Sequence, residues 1–353
     1  MAMASIVYFI PAFVIPPLYF VFKDRKFRDE IIIGFSIILT FLILVIRSET
    51  LGNDVPVYRK VFEELKSYRL FDAIKSYSVE PGYLILNWVV AKITGSFRVL
   101  LIIQAILCLS ADVFLVKKYS SFPIFSMLII MCIGMIDFPI DIIRQAMATA
   151  ILFFSLPQIE KKKPVLFVFF ILLASSFHYI SILFLLVFPA TLLKINRKTI
   201  IVFTVISLSL FFVTPFLFNT IGKRIMTLFN KSYNTLQEME IREASFLILG
   251  IIAFLLITVD FSVEIPRKES FTIWPFLFSL PLIIISSYVY IISRAAMFIF
   301  FPFVGVVLPN MLKYNKYEKL TKWFELGICL CFMAYYVFRM HDSYLVPYIP
   351  LWN

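Results

Sequence analysis

Apolar residues fall along this chain in long blocks separated by short polar stretches. Blocks near 5–22, 31–46, 98–116, 122–136, 140–157, 164–178, 180–193, 199–217, 245–259, 271–292, 295–312 and 322–338 approach the ~20 residues that carry a helix across a bilayer. One further piece, 82–94, is short. The pattern predicts an all-α fold, a polytopic membrane helical bundle of about twelve spans.

Basic residues set the orientation. They cluster at Lys23–Arg28, Lys117-Lys118, Lys161–Lys163, Lys194–Lys198, Arg267-Lys268 and Lys313–Lys322. Loops rich in Lys and Arg stay in the cytoplasm. All six clusters share that side only if 82–94 does not cross, so this piece is expected to be a re-entrant or interfacial segment. Irregular backbone of that kind is tolerated where protein or water satisfies it. The expected organisation is one integral membrane domain over 1–353, with outer loops at 47–97 and 218–244 and an outer tail after residue 338. The first block lacks a preceding basic segment and is followed by one, so it reads as a retained helix with its N-terminus outside.

Composition removes the alternatives. The chain is 61% apolar and 16% charged over 353 residues, with 41 Phe and a mean hydropathy of +0.93. A soluble domain is nearer 45–50% apolar and 25% charged, and this one would expose large apolar patches. Lys and Arg outnumber Asp and Glu by 33 to 22, yet the excess sits between spans, so it reads as topology and not as a nucleic-acid surface. Cys108, Cys132, Cys329 and Cys331 all lie in apolar runs, and there are two His. Neither a disulfide framework nor a metal centre is expected.

Ionisable groups within or beside spans are costly and mark function by default. Arg47 ends the second span and opens a stretch in which Gly52 permits a turn. Asp54 can cap a helix carrying Tyr58 and Phe62. Glu80 precedes Pro81-Gly82, a break before Tyr83 and the short apolar piece. Asp141, Arg144 and Gln145 stand at helical spacing, with Arg144 about one turn inside a span. The plain reading there is a local pair of Arg144 with Asp141 or Asp137. His178 ends another span; it is either packed or poised for acid–base chemistry. Arg294 closes the set. Three arginines at the outer ends of spans run against the charge bias, and together they suit a doubly charged anion such as a pyrophosphate.

These residues also carry a resemblance. Arg47 before Gly52-x-Asp54-x-x-x-Tyr58-x-x-x-Phe62, Glu80-x-Gly82-Tyr83, Arg144-Gln145-x-x-Ala148, Phe177-His178 and Arg294 come in the order seen in the EpsG/Wzy group of bacterial polysaccharide polymerases. The chain resembles that group from about residue 45 to 300, departing from it at Asn53 and Phe298. The resemblance implies a multi-span, GT-C-like glycosyltransferase of the bacterial cytoplasmic (inner) membrane, working on its outer face without metal or other cofactor. It implies an undecaprenyl-diphosphate-linked glycan donor and acceptor, joined into O-antigen or exopolysaccharide. A flippase and a chain-length regulator of the same pathway are the implied protein partners. On that reading His178, Glu80 and Arg144 are the expected catalytic residues. Arg47, Asp54, Tyr58, Tyr83, Asp141, Gln145 and Arg294 are expected to bind substrate. Two other classes fit a polytopic chain. A flippase for lipid-linked sugars would place charge along a central cavity, whereas the charges here gather at one face. An O-antigen ligase or related lipid-dependent glycosyltransferase usually carries an acidic pair in its first outer loop, where this chain has Asp54 nearly alone.

Overall fold

The computed structural model describes residues 2–21, 25–217, 243–289, 291–341, 343 and 345–351. Of the expected second outer loop, 218–242 lies outside the described residues. Among those described, the chain is helical, and backbone pairing of strand type is confined to two isolated bridges.

Seven helices are long and apolar enough to cross a membrane: Phe27–Ile46, Phe97–Tyr119, Pro123–Asp141, Arg197–Phe216, Arg267–Ile285, Ile292–Tyr314 and Glu318–Met340. Four shorter apolar helices, Ile6–Tyr19, Pro164–Ser175, Tyr179–Ala190 and Ala244–Thr258, fall on four more of the expected spans. The last expected span falls on the 18-residue helix Ile143–Glu160.

The chain divides into two compact units. The first comprises 1–185 with 320–353, and the second comprises 186–319. The first contains α1 (Ala2–Phe13), α2 (Ile15–Val21), α3 (Arg25–Ile46), α4 (Val55–Leu65), α5 (Leu70–Ser76), α6 (Pro81–Thr94), α7 (Phe97–Tyr119), α8 (Pro123–Ile130), α9 (Asp137–Asp141), α10 (Ile143–Glu160) and α11 (Pro164–Ser175). The second contains α12 (Val187–Ala190), α13 (Arg197–Leu217), α14 (Glu243–Thr258), α15 (Arg267–Ile285), α16 (Ile291–Arg294) and α17 (Val304–Met311); α18 (Thr321–His341) returns to the first.

In the first unit α7 packs against α3 and α10, and α10 against α11. The start of α7 sits beside the end of α3: Arg98 donates to the carbonyls of Val45 (2.7 Å) and Arg47 (2.6 Å) and pairs with Glu49 (3.3 Å). Both flanks of the 47–97 segment are therefore at one end of the bundle. The intervening α6, of 14 residues, would span about 21 Å as a helix, short of the ~30 Å hydrocarbon core. At the other end Lys118 pairs with Glu160 (3.0 Å), so α7 and α10 run in the same direction. The C-terminal tail returns to the first end, where Ser48 N–H donates to Ile349 and Leu351 N–H to Ile46, each at 2.7 Å.

In the second unit α13 packs on α15, with Phe203 edge-on to Trp274 at 5.5 Å. The α15 residue Glu269 accepts from Asn310 of α17 at 2.8 Å, burying both polar groups as a pair.

Candidate functional site

The site begins with α4. Its buried residues Val55, Tyr58, Phe62 and Leu65 recur at helical spacing, so one stripe faces the bundle while charged residues face out. Pro56 suits the first turn, where no backbone donor is needed. Before it, Gly52 has φ +113°, and a Cβ there would lie 2.7 Å from the Ile140 carbonyl oxygen. Glycine serves both the positive φ and the close approach.

Pro81 likewise starts α6, and Gly95 at φ 63° ends it. Gly82 N–H donates to Ser176 O at 2.8 Å and Tyr83 N–H to the same oxygen at 3.3 Å. A Cβ on Gly82 would sit 2.9 Å from that oxygen. This contact brings the end of α11, and with it the Phe177-His178 step, against the start of α6.

On this frame four expected site residues form one hydrogen-bonded chain. Tyr58 hydroxyl donates to Asp54 Oδ2 at 3.5 Å and accepts from Arg144 Nε at 2.8 Å. Arg144 Nη1 forms an ion pair with Glu80. The second Glu80 oxygen receives Tyr179 N–H at 3.5 Å. The Arg144 guanidinium also lies over the Tyr58 ring at 5.2 Å, and Tyr83 packs edge-on to Tyr58 at 5.4 Å. Burial holds the Tyr58 hydroxyl above the ordinary phenol range, against the opposite pull of Arg144. The phenol therefore keeps its proton and can bridge cation and carboxylate.

Other expected residues are placed around this chain. Asp54 occupies the cap position of α4 but makes no side-chain cap bond; its carboxylate is turned to Tyr58. Asp141 accepts from Asn53 N–H at 3.1 Å. Gln145 is buried beside Arg144 in sequence. His178 is 5% exposed and stacks on Tyr179 with ring centres 5.4 Å apart. Arg294, half-buried at the end of α16, belongs to the second unit.

Two placements depart from local pairing. Arg144 is paired with Glu80, and Asp137 with Arg339. The backbone breaks at Ile142, whose φ −109° and ψ 57° are non-helical, so the helical spacing across 141–144 does not operate. Arg47 is 1% exposed. Its two terminal nitrogens donate to Leu51 O (3.0 Å), Ile140 O (2.9 Å) and Pro139 O (3.4 Å).

Sequence reasoning passed over three residues at this end. Arg98 and Glu49 tie α7 to the loop. Arg339 bonds Asp137 Oδ1 at 2.8 Å. Arg339 has the same signal as Arg144, an arginine at the same end of a span, and the charge argument extends to it without change.

The family model that matches the chain is that of the EpsG family, over residues 30–350. Comparison with curated proteins gives no match, and neither does comparison with solved structures.

Proposed function

Because the chain belongs to the EpsG family, a family of polysaccharide polymerases, we propose that it joins lipid-linked oligosaccharide repeat units into O-antigen or exopolysaccharide on the outer face of the bacterial cytoplasmic membrane. It does so with about twelve spans in a GT-C-like arrangement and without a metal. The observation that carries this reading is the Arg144 guanidinium at the end of a span, held by Tyr58 and Glu80 and aligned with a carboxylate, a phenol and a histidine-bearing turn.

An acceptor hydroxyl attacks the donor's anomeric carbon and undecaprenyl diphosphate leaves. Negative charge grows on the leaving group, and a preorganised cation aimed at it lowers the barrier most. Arg144 meets that charge. His178 or Glu80 takes the acceptor proton. Asp54, Tyr58, Tyr83, Asp141 and Gln145 hold sugar hydroxyls. Arg47, with its two terminal nitrogens on carbonyls, acts through the backbone it holds.

The test is the glycan ladder of cells lacking the gene and complemented with wild type or Arg144→Ala. The expected result is single-repeat glycans from the null and from Arg144→Ala at normal expression, with a full ladder from wild type. A null that displays no repeat unit would make export the better reading. A full ladder from the null would overturn polymerisation. Retained polymerisation by His178→Ala would leave Glu80 as the base.

A further inference from the structure

Helix α8 does not run into α10 as one rod. Its ladder widens over Met131–Met135, where Gly134 has φ 149°. It reforms for the five residues of α9 and breaks again at Ile142. Interruptions leave carbonyl oxygens that a continuous helix would fill internally, and in an apolar bundle each needs a donor. Side chains from three other helices supply donors. Arg47, just past α3, donates to Ile140 O at 2.9 Å and Pro139 O at 3.4 Å. Gln104 of α7 donates to Pro139 O. Arg339 of α18 donates to Ile133 O at 2.8 Å and Cys132 O at 3.4 Å, and closes an ion pair on Asp137. The Arg339 guanidinium is further enclosed by the rings of Phe138, Tyr335 and Tyr336 at 5.5–5.7 Å. The last clamped carbonyl, Ile140 O, lies four residues before Arg144.

We propose that Arg47, Gln104 and Arg339 are positioning residues, a three-sided clamp on 132–140 that fixes where Arg144 emerges. The clamp rests on the polymerase reading only for what Arg144 does once it is placed. A planar guanidinium suits the task, because one fork reaches a carbonyl and a carboxylate together while a lysine offers a single point of charge. The segment it holds has little rigidity of its own: five helical residues bounded by two breaks.

The test uses the full-length protein in lipid nanodiscs, as wild type, Arg339→Gln, Arg339→Lys and Gln104→Met. Two quantities are read: hydrogen exchange of peptides covering 133–146, and turnover of a lipid-diphosphate-linked repeat unit per folded molecule. In the expected result Arg339→Gln and Gln104→Met speed exchange across 133–146 and not in α13. They lower kcat about tenfold or more with KM little changed, as misplacement of a catalytic group does. Arg339→Lys recovers only part of both. Should Arg339→Gln fail to fold, Gln104→Met decides alone, since it keeps length and apolar stem. Unchanged exchange, or turnover equal to wild type, would overturn the clamp. If wild type makes no polymer, the polymerase reading fails and exchange alone judges the clamp.

Discussion

Arg144 shows how one side chain can serve two partners. Its Nε is taken by Tyr58 and one terminal nitrogen by Glu80. A lysine would keep the charge and lose the fork. Arg144→Lys is therefore expected to lower polymerisation on the order of a hundredfold, as removal of a charge-stabilising donor does; wild-type turnover by the purified variant would refute a paired contact. Tyr58→Phe keeps the ring against Tyr83 and Arg144 but removes the bridge to Asp54. The expected loss is about fivefold in turnover, the equivalent of ~1 kcal/mol for one hydrogen bond, with unchanged thermal stability by fluorescence-detected chromatography. Glu80, Tyr58 and Arg144 were legible from sequence as individual oddities near spans. Their pairing was not, because a contact such as Glu80 with Arg144 joins elements 64 residues apart that no periodicity relates. Arg47 was legible in the same way, as charge at the end of a span; the hold of its terminal nitrogens on the Pro139 and Ile140 carbonyls was not.

At the scale of elements, the amphipathic α4 and the Pro-Gly start of α6 follow from spacing and turn chemistry, and both appear where the sequence puts them. Phe62 is fully buried and packs edge-on to Phe97 at 5.4 Å. Phe62→Ala should cost about 3–5 kcal/mol of stability through the cavity it leaves, seen as a lowered unfolding midpoint. Gly82→Ala adds a methyl against Ser176, so α6 must shift at its first turn. Polymerisation should fall while the protein still folds, and a normal glycan ladder would show that the α6–α11 contact does not matter. The break between α9 and α10 was not legible. Asp137, Asp141 and Arg144 fit one continuous helix by spacing, and neither Gly134 nor Ile142 announces a double interruption when a single glycine inside an apolar run is commonly tolerated.

For the whole molecule, hydropathy and the basic clusters outlined the helical regions well. Every expected span has a described helix, though several are shorter than a bilayer requires, because irregular turns such as the 3₁₀ run Tyr179–Leu186 replace regular ladder where breaks fall. The non-crossing of 82–94 was inferred from the loop charges alone. It gives a direct test in a variant freed of native cysteines. A cysteine replacing exposed Glu63 or Ile93 should react with an impermeant thiol reagent in intact cells. One replacing Lys162 should react only after permeabilisation. Labelling of position 93 from the cytoplasmic side alone would mean that α6 crosses and the later topology inverts.

The Arg339 contact also bears on how the protein is made. Asp137 and the carbonyls of Cys132 and Ile133 are synthesised about 200 residues before the side chain that satisfies them. During that interval the segment is a poor solute for lipid. The first unit, although it holds the first 185 residues, is therefore closed only by the last 34. A chain stopped near residue 320 keeps most of its apolar helices yet leaves an uncompensated acid inside the bundle. Such a chain is expected to accumulate in membranes to a lower level than the full-length protein, as an immunoblot would show.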